Sequence, residues 1–250
     1  EDLQNEIYQE MVEREPSQDD GIPYEFNGYF YNSSYNEGEE YARHTRSTSV
    51  SRKGELILDE NELAAGREFF SLGRYDISPD NQLMTYTTDY SGRSLYQAHF
   101  KDLSTGKLLE NRLEDIASDI VFAPDSNAVY YRKPDPVTLR GFQVFRHELG
   151  TKQSDDKLVH EEPEVNFYLG LRRTRDNQRI IINHESTLTV DAVILDDDGK
   201  AAHFTDRVEG HEYSISKVGS EYFIRTNWQA ENFRIMKVGE DDTSDRANWV

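Results

Sequence analysis

The first residues of the chain carry apolar side chains at helical spacing. Within residues 2–15 the apolar positions recur at intervals of about four and share one face of a helix, namely Leu3, Ile7, Tyr8, Met11 and Val12. The spacing predicts an α-helix that ends at Pro16 and the turn-forming residues after it. Because the rest of the chain has the pattern of strands, we expect this apolar face to pack on a neighbouring domain or on chain preceding Glu1.

From Ile22 the pattern changes to an alternation of two. Aromatic residues alternate on both sides of Asn27-Gly28, which is a strong signal for a β-hairpin. A further turn is predicted at 36–38 and a strand at 41–46. Residues 55–66 predict a short strand followed by a loop or a helical turn.

After Phe69 one order of turns and strands recurs about every 45 residues. Each unit has a first turn, a strand, a second turn and an outer strand. The units cover about 70–112, 117–162, 165–207 and 210–240, and their turn markers are Ser78-Pro79-Asp80 with Thr105-Gly106, Ala123-Pro124-Asp125 with Gly150-Thr151, Arg175-Asp176-Asn177 with Asp198-Gly199, and Gly219-Ser220 with residues 227–232. Four short strands per unit at this period are typical of propeller blades.

The repeats predict an all-β fold, a β-propeller of four-stranded antiparallel blades preceded by a short N-terminal helix. We assign residues 1–20 to the helix and a linker, and residues 21–250 to a partial propeller of about five blades, with 22–69 supplying the first. Stacked blades bury the faces that one sheet alone would expose. A closed ring of five blades and an arc of a larger ring both fit this count.

Composition agrees with a strand-rich core. Aromatic residues make up 12% of the 250 residues, with 15 Tyr and 12 Phe, and such rings favour strands. There is no cysteine, which excludes disulfides, cysteine-based zinc sites and a thiol nucleophile and is compatible with the cytoplasm, where we expect the protein. No apolar run approaches the roughly 20 residues of a membrane span. Because the chain begins at Glu1 and not at Met, we expect further sequence before it.

The net charge of −20 excludes classes of partner. Phosphate backbones and anionic membranes would repel such a chain, so we expect neither nucleic acid nor membrane as a partner. A negative field attracts cationic peptides. A charged surface that maintains solubility is the simpler explanation of the same charge.

No motif for catalysis, metal or cofactor binding is present. The G-x-S-x-G elbow and the glycine-rich phosphate loops are missing, and Gly92-Arg93-Ser94 has the character of a hairpin turn. The seven histidines lack metal-ligand spacing, and His147 is interpreted as structural. Residues 196–199 resemble the start of a calcium loop without its later ligands and predict a turn. We therefore expect no metal, no cofactor and no catalytic residue in this chain.

Several segments resemble the oligopeptidase B branch of the prolyl oligopeptidase family of serine peptidases. They occur in the family's order and cover most of the chain: GIPYEFNGYFY (21–31), LILDENELAAGREFFSLGRYDISPDNQLMTYTTDYSGR (56–93), KDLSTGK (101–107), VFRHELGTKQSDDKLVHEE (144–162) and HEYSISKVGSEYFIRTNWQAENFRIMKV (211–238). The resemblance implies a seven-bladed propeller joined to a C-terminal α/β-hydrolase domain with a Ser-Asp-His triad. It also implies cleavage of short peptides after Arg or Lys, with the propeller limiting access. None of the triad lies in these residues.

The loop RKPDPVTLRG, residues 132–141, is the candidate contact region, because two prolines stiffen it and it concentrates basic residues in an acidic chain. Given the resemblance, Asp135 and Arg140 are candidates for contact with the hydrolase domain or the substrate. An ordinary connection between strands is the other interpretation. Two alternatives for the whole chain are a stand-alone binding propeller that acts as a scaffold, and a propeller glycosidase with two acids in the central channel.

Overall fold

The fold is known from a computed structural model that describes residues 2–14 and 18–250. It divides into two compact units, residues 1–70 and 71–250, which are described separately. Pro16, the predicted end of the N-terminal helix, lies outside the described residues. No α-helix in the described ranges combines the length and the apolar character needed to cross a bilayer.

The first unit begins with the predicted helix, α1 (Asp2–Arg14). All of its described side chains are exposed, including the whole apolar stripe: Leu3, Ile7, Tyr8, Met11 and Val12. An apolar stripe at helical spacing normally covers a core. The stripe is therefore a surface that the described residues leave uncovered.

A four-stranded sheet, blade 1, follows in the same unit. Its strands pair in sequence order, and a short helix α2 (Glu60–Ala64) ends the unit; the strands are β1 (Tyr24–Phe26), β2 (Tyr29–Ser34), β3 (Arg43–Ser47) and β4 (Glu55–Asp59). Asn27 and Gly28 have φ of 50° and 79° and form the two-residue turn predicted between β1 and β2. The predicted helical turn is α2, and the Asp59 carboxylate caps it by accepting a bond from the backbone N–H of Asn61 at 3.0 Å.

The second unit consists of four further antiparallel sheets, blades 2 to 5. Strands again pair in sequence order within each sheet. Blade 2 contains β5 (Ser71–Ile77), β6 (Leu83–Asp89), β7 (Tyr96–Asp102) and β8 (Leu108–Ile116); blade 3 contains β9 (Ile120–Phe122), β10 (Ala128–Pro134), β11 (Gly141–Glu148) and β12 (Lys157–Glu161); blade 4 contains β13 (Tyr168–Arg173), β14 (Ile180–Glu185), β15 (Val190–Leu195) and β16 (Ala201–His203); blade 5 contains β17 (Tyr213–Val218), β18 (Glu221–Thr226) and β19 (Arg234–Gly239). The bounds of the predicted repeat units match these blades, but blade 5 has three strands where four were predicted.

The repeat in the sequence is a repeat in turn geometry. In blades 2, 3 and 4 the first turn closes with a backbone hydrogen bond across five residues, and its fourth residue has φ near +60°. The three bonds are Ser78 N to Leu83 O, Ala123 N to Ala128 O and Thr174 N to Arg179 O, and the left-handed residues are Asn81, Ser126 and Asn177. The Asp that these turns share has a structural role, because its carboxylate accepts a hydrogen bond from the backbone of the turn. Asp80 and Asp176, for example, accept backbone N–H bonds from Gln82 and Gln178.

The core lies between neighbouring blades, and strands in the middle of a blade contribute to it on both faces. In β10, Tyr130 packs toward blade 4 while Tyr131 packs toward blade 2. In β14, Ile180 and Ile182 face blade 3 and Ile181 faces blade 5. Successive side chains of a strand point to opposite faces. These strands are consequently continuous apolar runs, and not the alternating pattern of a sheet with one wet face.

One buried ion pair ties three blades together. The guanidinium of Arg173 in β13 binds Asp76 of β5 through two bonds of 2.6 and 3.1 Å. It also donates to the carbonyl oxygens of Phe122 in β9 at 3.0 Å and of Ile77 at 2.9 Å, and its Nε donates to Asn177 at 2.8 Å. All five N–H donors of the guanidinium therefore have an acceptor.

Candidate functional site

The candidate site is built on the loop between β10 and β11. The hairpin ladder continues through Arg132 and Lys133 to Pro134, which pairs with Gly141, so the connection itself covers only residues 135–140. The loop is therefore shorter than the predicted segment 132–141, because residues 132–134 belong to β10 and Gly141 begins β11. The ladder shifts between Lys133 and Pro134, and at this last position of the strand the missing N–H of proline is tolerated.

Asp135 folds this loop. One of its carboxylate oxygens accepts bonds from the backbone N–H groups of Val137 and Thr138, at 2.9 and 2.7 Å, and from the Thr138 hydroxyl at 3.0 Å. These bonds, led by the backbone N–H of Thr138, hold the pKa of Asp135 below its usual value. The carboxylate therefore stays charged and maintains the shape of the loop.

Arg140 joins the loop to the next connection, between β12 and β13. Its guanidinium donates to the carbonyl oxygens of Glu162, Glu164 and Phe167 at 3.1, 3.2 and 2.8 Å. Asp135 and Arg140 thus lie together at the same cleft but each makes contacts within this chain. Their predicted contact with a hydrolase domain or a substrate stays a prediction.

An open cleft of about 470 Å³ lies beside this loop. Loops of blades 2 and 3 and the start of blade 4 line it, among them Tyr96, Arg132, Leu139 and Tyr168. A second cleft of about 590 Å³ adjoins it and shares Val165 and Tyr168. The two clefts form one groove, which we call the loop groove, across this end of blades 2 to 4.

The loop groove has an apolar rim. Val137, Val165, Tyr168 and Leu188 are 87%, 73%, 64% and 65% exposed, respectively. Val165, Tyr168 and Leu188 line the groove, and Val137 directly precedes Thr138, which also lines it, so the four lie near one another and are not scattered single residues. Neighbouring exposed apolar residues are typical of interaction surfaces.

Arg132 is the charged side chain in the groove wall that sequence reasoning did not single out. It pairs with Asp119 at 3.1 Å, and its buried Nε has no hydrogen-bond partner among the described residues. A Cβ at Gly141 would lie 2.7 Å from its Nη1, so this guanidinium occupies the space that the glycine leaves. Arg132 was part of the predicted basic loop, but its partner comes from the β8–β9 connection, which only the fold brings near.

The other sequence predictions concern turns and one histidine. Residues 90–95 form the turn after β6, where Asp89 accepts bonds from the backbone of Ser91, Gly92 and Ser94. Residues 196–199 form the turn between β15 and β16. His147 is buried and its Nδ1 lies 2.7 Å from the Asp156 carboxylate, which confirms its structural role.

One row of side chains in the first unit has the order of a nucleophile, a base and an acid. The Ser33 hydroxyl lies 2.8 Å from Nδ1 of His44, and Nε2 of His44 lies 2.7 Å from the Glu60 carboxylate. His44 is only 6% exposed, and the row joins β2, β3 and α2. We therefore interpret it as a stabilising contact of blade 1. In residues 2–14 and 18–250 no group of three or more His, Asp or Glu is arranged to hold a metal ion.

Comparisons with known proteins identify the family. The family described as "Prolyl oligopeptidase, N-terminal beta-propeller domain" matches residues 1–250. Dipeptidyl aminopeptidase BI of Pseudoxanthomonas mexicana is 32% identical over 99% of this chain, and Protease 2 of Moraxella lacunata is 26% identical over 98%. This chain spans 37% of the length of each of these two relatives.

Solved structures give the same fold. Oligopeptidase B from Leishmania major superposes with a TM-score of 0.89 at 24% identity, covering 99% of this chain and 36% of that one. Oligopeptidase B from Trypanosoma brucei superposes with a TM-score of 0.86 at 24% identity, covering 100% and 36%. The five sheets are therefore propeller blades, and the chain belongs to the prolyl oligopeptidase family, of which it carries N-terminal β-propeller sequence.

Proposed function

We propose that this chain is the substrate-filtering propeller of an oligopeptidase B-like serine peptidase that cleaves short peptides after Arg or Lys. The nucleophile, base and acid of the reaction belong to an α/β-hydrolase domain outside these residues. There the serine attacks the peptide carbonyl and the histidine takes its proton. The proposal includes a cytoplasmic location, in keeping with a chain that has no cysteine.

The observation that carries the proposal is the apolar rim of the loop groove in a chain that spans 37% of its relatives. A rim residue such as Val137, at 87% exposure, gains from burial against a partner. The uncovered stripe of α1 supports the same conclusion for the first unit. The partner that we propose for both surfaces is the C-terminal hydrolase domain of the same protein.

The filtering role follows from steric exclusion and charge. A propeller joined to a hydrolase domain leaves only narrow routes to the nucleophile, so short peptides enter and folded proteins do not. The net charge of −20 raises the local concentration of cationic peptides. Both effects act before the chemical step and belong to this chain.

A second candidate function comes from the relative at 32% identity, whose name is dipeptidyl aminopeptidase. In that case the full-length protein releases dipeptides from peptides with a free amino end. Cleavage after Arg or Lys within a blocked peptide and release of dipeptides are separable activities.

The test uses the full-length protein with four fluorogenic peptides. Two are blocked at the amino end and carry Arg or Leu before the scissile bond, and two are the same peptides with a free amino end. We expect the highest kcat/KM on the blocked Arg peptide, and a much lower value when the same Arg site lies within a folded protein. Activity confined to the free-amine peptides favours the dipeptidyl function, and a lack of cleavage of all four contradicts both proposals.

Docking is tested with a matched pair of substitutions. Val137→Glu places a carboxylate on the groove rim. Val218→Glu places the same group at the end of β17, where the valine is also exposed. Burying an unpaired charge in an interface is costly. We expect Val137→Glu to lower kcat/KM at least tenfold and Val218→Glu to leave it unchanged, and equal effects would contradict the docked arrangement.

A further inference from the structure

A cluster of three histidines lies at the seam between blades 3 and 4. His160 comes from β12, and His184 and His203 come from β14 and β16. Asp191 of β15, which is fully buried, lies between the last two. We call His160, His184, His203 and Asp191 the histidine cluster. The peptidase function proposed above does not use it.

Within the histidine cluster, the contact that crosses the seam joins two imidazole rings. Nε2 of His160 lies 2.7 Å from Nε2 of His184, and the ring centroids are 4.8 Å apart. On its other side, Nδ1 of His184 lies 3.0 Å from the Asp191 carboxylate. His184 itself is fully buried. A single hydrogen bond between two titratable groups therefore connects the outer strand of blade 3 with the centre of blade 4.

The proton positions follow from the partners. A carboxylate only accepts, so Nδ1 of His184 carries a hydrogen and donates it to Asp191. With both rings neutral, Nε2 of His184 is the acceptor and Nε2 of His160 is the donor. One added proton preserves the bond: on Nδ1 of His160 it leaves the direction unchanged, and on Nε2 of His184 it reverses the direction. A second added proton makes both Nε2 atoms donors, so the bond is lost and two cations face each other at contact distance.

We propose that the hydrogen bond between His160 and His184 is an acid-sensitive latch, which opens the seam between blades 3 and 4 when both rings carry a proton. The connection 162–167 starts two residues after His160 and supplies Val165 to the loop groove. Opening of the latch removes one restraint on this connection, which the bonds from Arg140 and Arg207 continue to hold. Acidification thereby loosens one wall of the groove.

Burial keeps the latch closed at neutral pH. It lowers the pKa of His160 to about 4, and a proton on His184 or His203 would lower it further. The negative groups on the cluster are Asp191 and Glu162, and Arg207 binds both of them. Burial alone would raise the pKa of Asp191, but its bond from His184 and the charges of His203 and Arg207 outweigh burial and hold it below its usual value.

The direction of the pH effect follows from proton linkage. The pKa of His160 is lower in the closed seam than the ordinary value of 6.5 that it regains in the open seam. The open state therefore binds more protons, and acid favours it as the pH falls from 6.5 towards 4. Above pH 6.5 the latch contributes its full stabilisation.

The experiment measures amide hydrogen exchange in the full-length protein between pH 4.5 and 7.5, corrected for the intrinsic exchange rate. Peptides covering 157–167 and 180–185 report on the seam. A peptide covering 24–31 in blade 1 is the reference, because the histidines of lowered pKa, His99, His160 and His211, lie outside that blade. We expect protection at the seam to fall at least about tenfold relative to the reference between pH 6.5 and 4.5, a change that corresponds to one pKa unit of linkage.

The decisive variant is His160→Gln. Its amide can donate to a neutral His184 or accept from a protonated one, so the hydrogen bond persists at every pH and the relative fall in protection should disappear. The matched control is His99→Gln, which removes another histidine of lowered pKa, in blade 2, and should leave the response of the seam unchanged. The proposal is overturned if the seam and the reference peptide of the wild-type protein respond equally to pH, or if His160→Gln retains the wild-type fall.

Discussion

The ion pair between Arg173 and Asp76 makes the sharpest prediction on stability. Replacing Arg173 by Met removes a guanidinium that is 4% exposed and leaves the Asp76 carboxylate, 15% exposed, without its cation. Asp76 keeps one bond, from the backbone N–H of Phe122 at 2.8 Å. The carbonyl oxygens of Phe122 and Ile77 lose their bonds from the side chain.

The magnitude follows from these losses. Removing one partner of a buried ion pair costs roughly 3–5 kcal/mol. Partial exposure of Asp76 and its remaining bond favour the lower end, so we expect Arg173→Met to cost about 3 kcal/mol in the local opening of blades 2 to 4. That free energy corresponds to exchange of the protected amides that is about 100-fold faster.

The assay is native-state hydrogen exchange of the full-length protein, followed in peptides that cover β9 and β13. Arg179→Met is the matched control, because Arg179 pairs with a largely exposed Asp197 and a part-exposed Glu240, and exposed pairs are worth less than about 1 kcal/mol. Changes of less than about fivefold for Arg173→Met, or equal changes for both variants, would refute the view that this ion pair holds three blades together.

Three further predictions concern packing, pH and salt. Gly73→Ala should cost about 1–3 kcal/mol because its Cβ would lie 2.5 Å from Thr87, 2.8 Å from Tyr96 and 2.9 Å from Ser118. Gly141→Ala should cost less, because its Cβ would come closest to the end of the long Arg132 side chain, 2.7 Å from Nη1, and would meet Ala117 at ordinary contact distance. Thermal unfolding that ranks the two variants in the opposite order contradicts this. Burial lowers the pKa of His99 to about 4, with Arg112 adding to the effect. The contribution of neutral His99 to the free energy of unfolding is therefore present above pH 6.5 and falls as the pH drops towards 4. His99→Gln should flatten that part of the curve of unfolding free energy against pH. Raising the ionic strength from about 0.01 to 0.1 M shortens the screening length from about 30 to 10 Å. The kcat/KM of the full-length protein for an Arg-containing peptide should then fall several-fold, while the value for a neutral peptide stays constant. A parallel response of the two peptides would argue against electrostatic attraction.

Much of the fold could be predicted from the sequence because its signals are local. Asn27-Gly28 needs left-handed backbone, and the Pro-Asp turns repeat with the blades, so the hairpin and the blade boundaries followed directly. Prolines were less informative. Pro134 takes the last position of β10, where the ladder shifts, and the loop is shorter than the basic segment that marks it.

The site could be predicted only in part because its contacts are distant in sequence. The loop 132–141 was recognised as a candidate, but the roles of Asp135 and Arg140 within it depend on neighbours such as Phe167. Tyr168, exposed at the start of β13, has no sequence signal that separates it from a buried strand aromatic. Likewise, Asp76 and Arg173 are 97 residues apart, and no local pattern relates them.

The two-sided burial of β10 and β14 limits how such a protein can change over evolution. Tyr130 and Tyr131 are adjacent in the chain, yet each fits a different neighbouring sheet. A duplicated or transposed blade would fit its new neighbour on one face at most and clash or leave gaps on the other. Packed interfaces tolerate such misfits poorly. The units share a pattern of turns, but the faces of each blade fit its own neighbours, so the order of the blades is encoded in their surfaces.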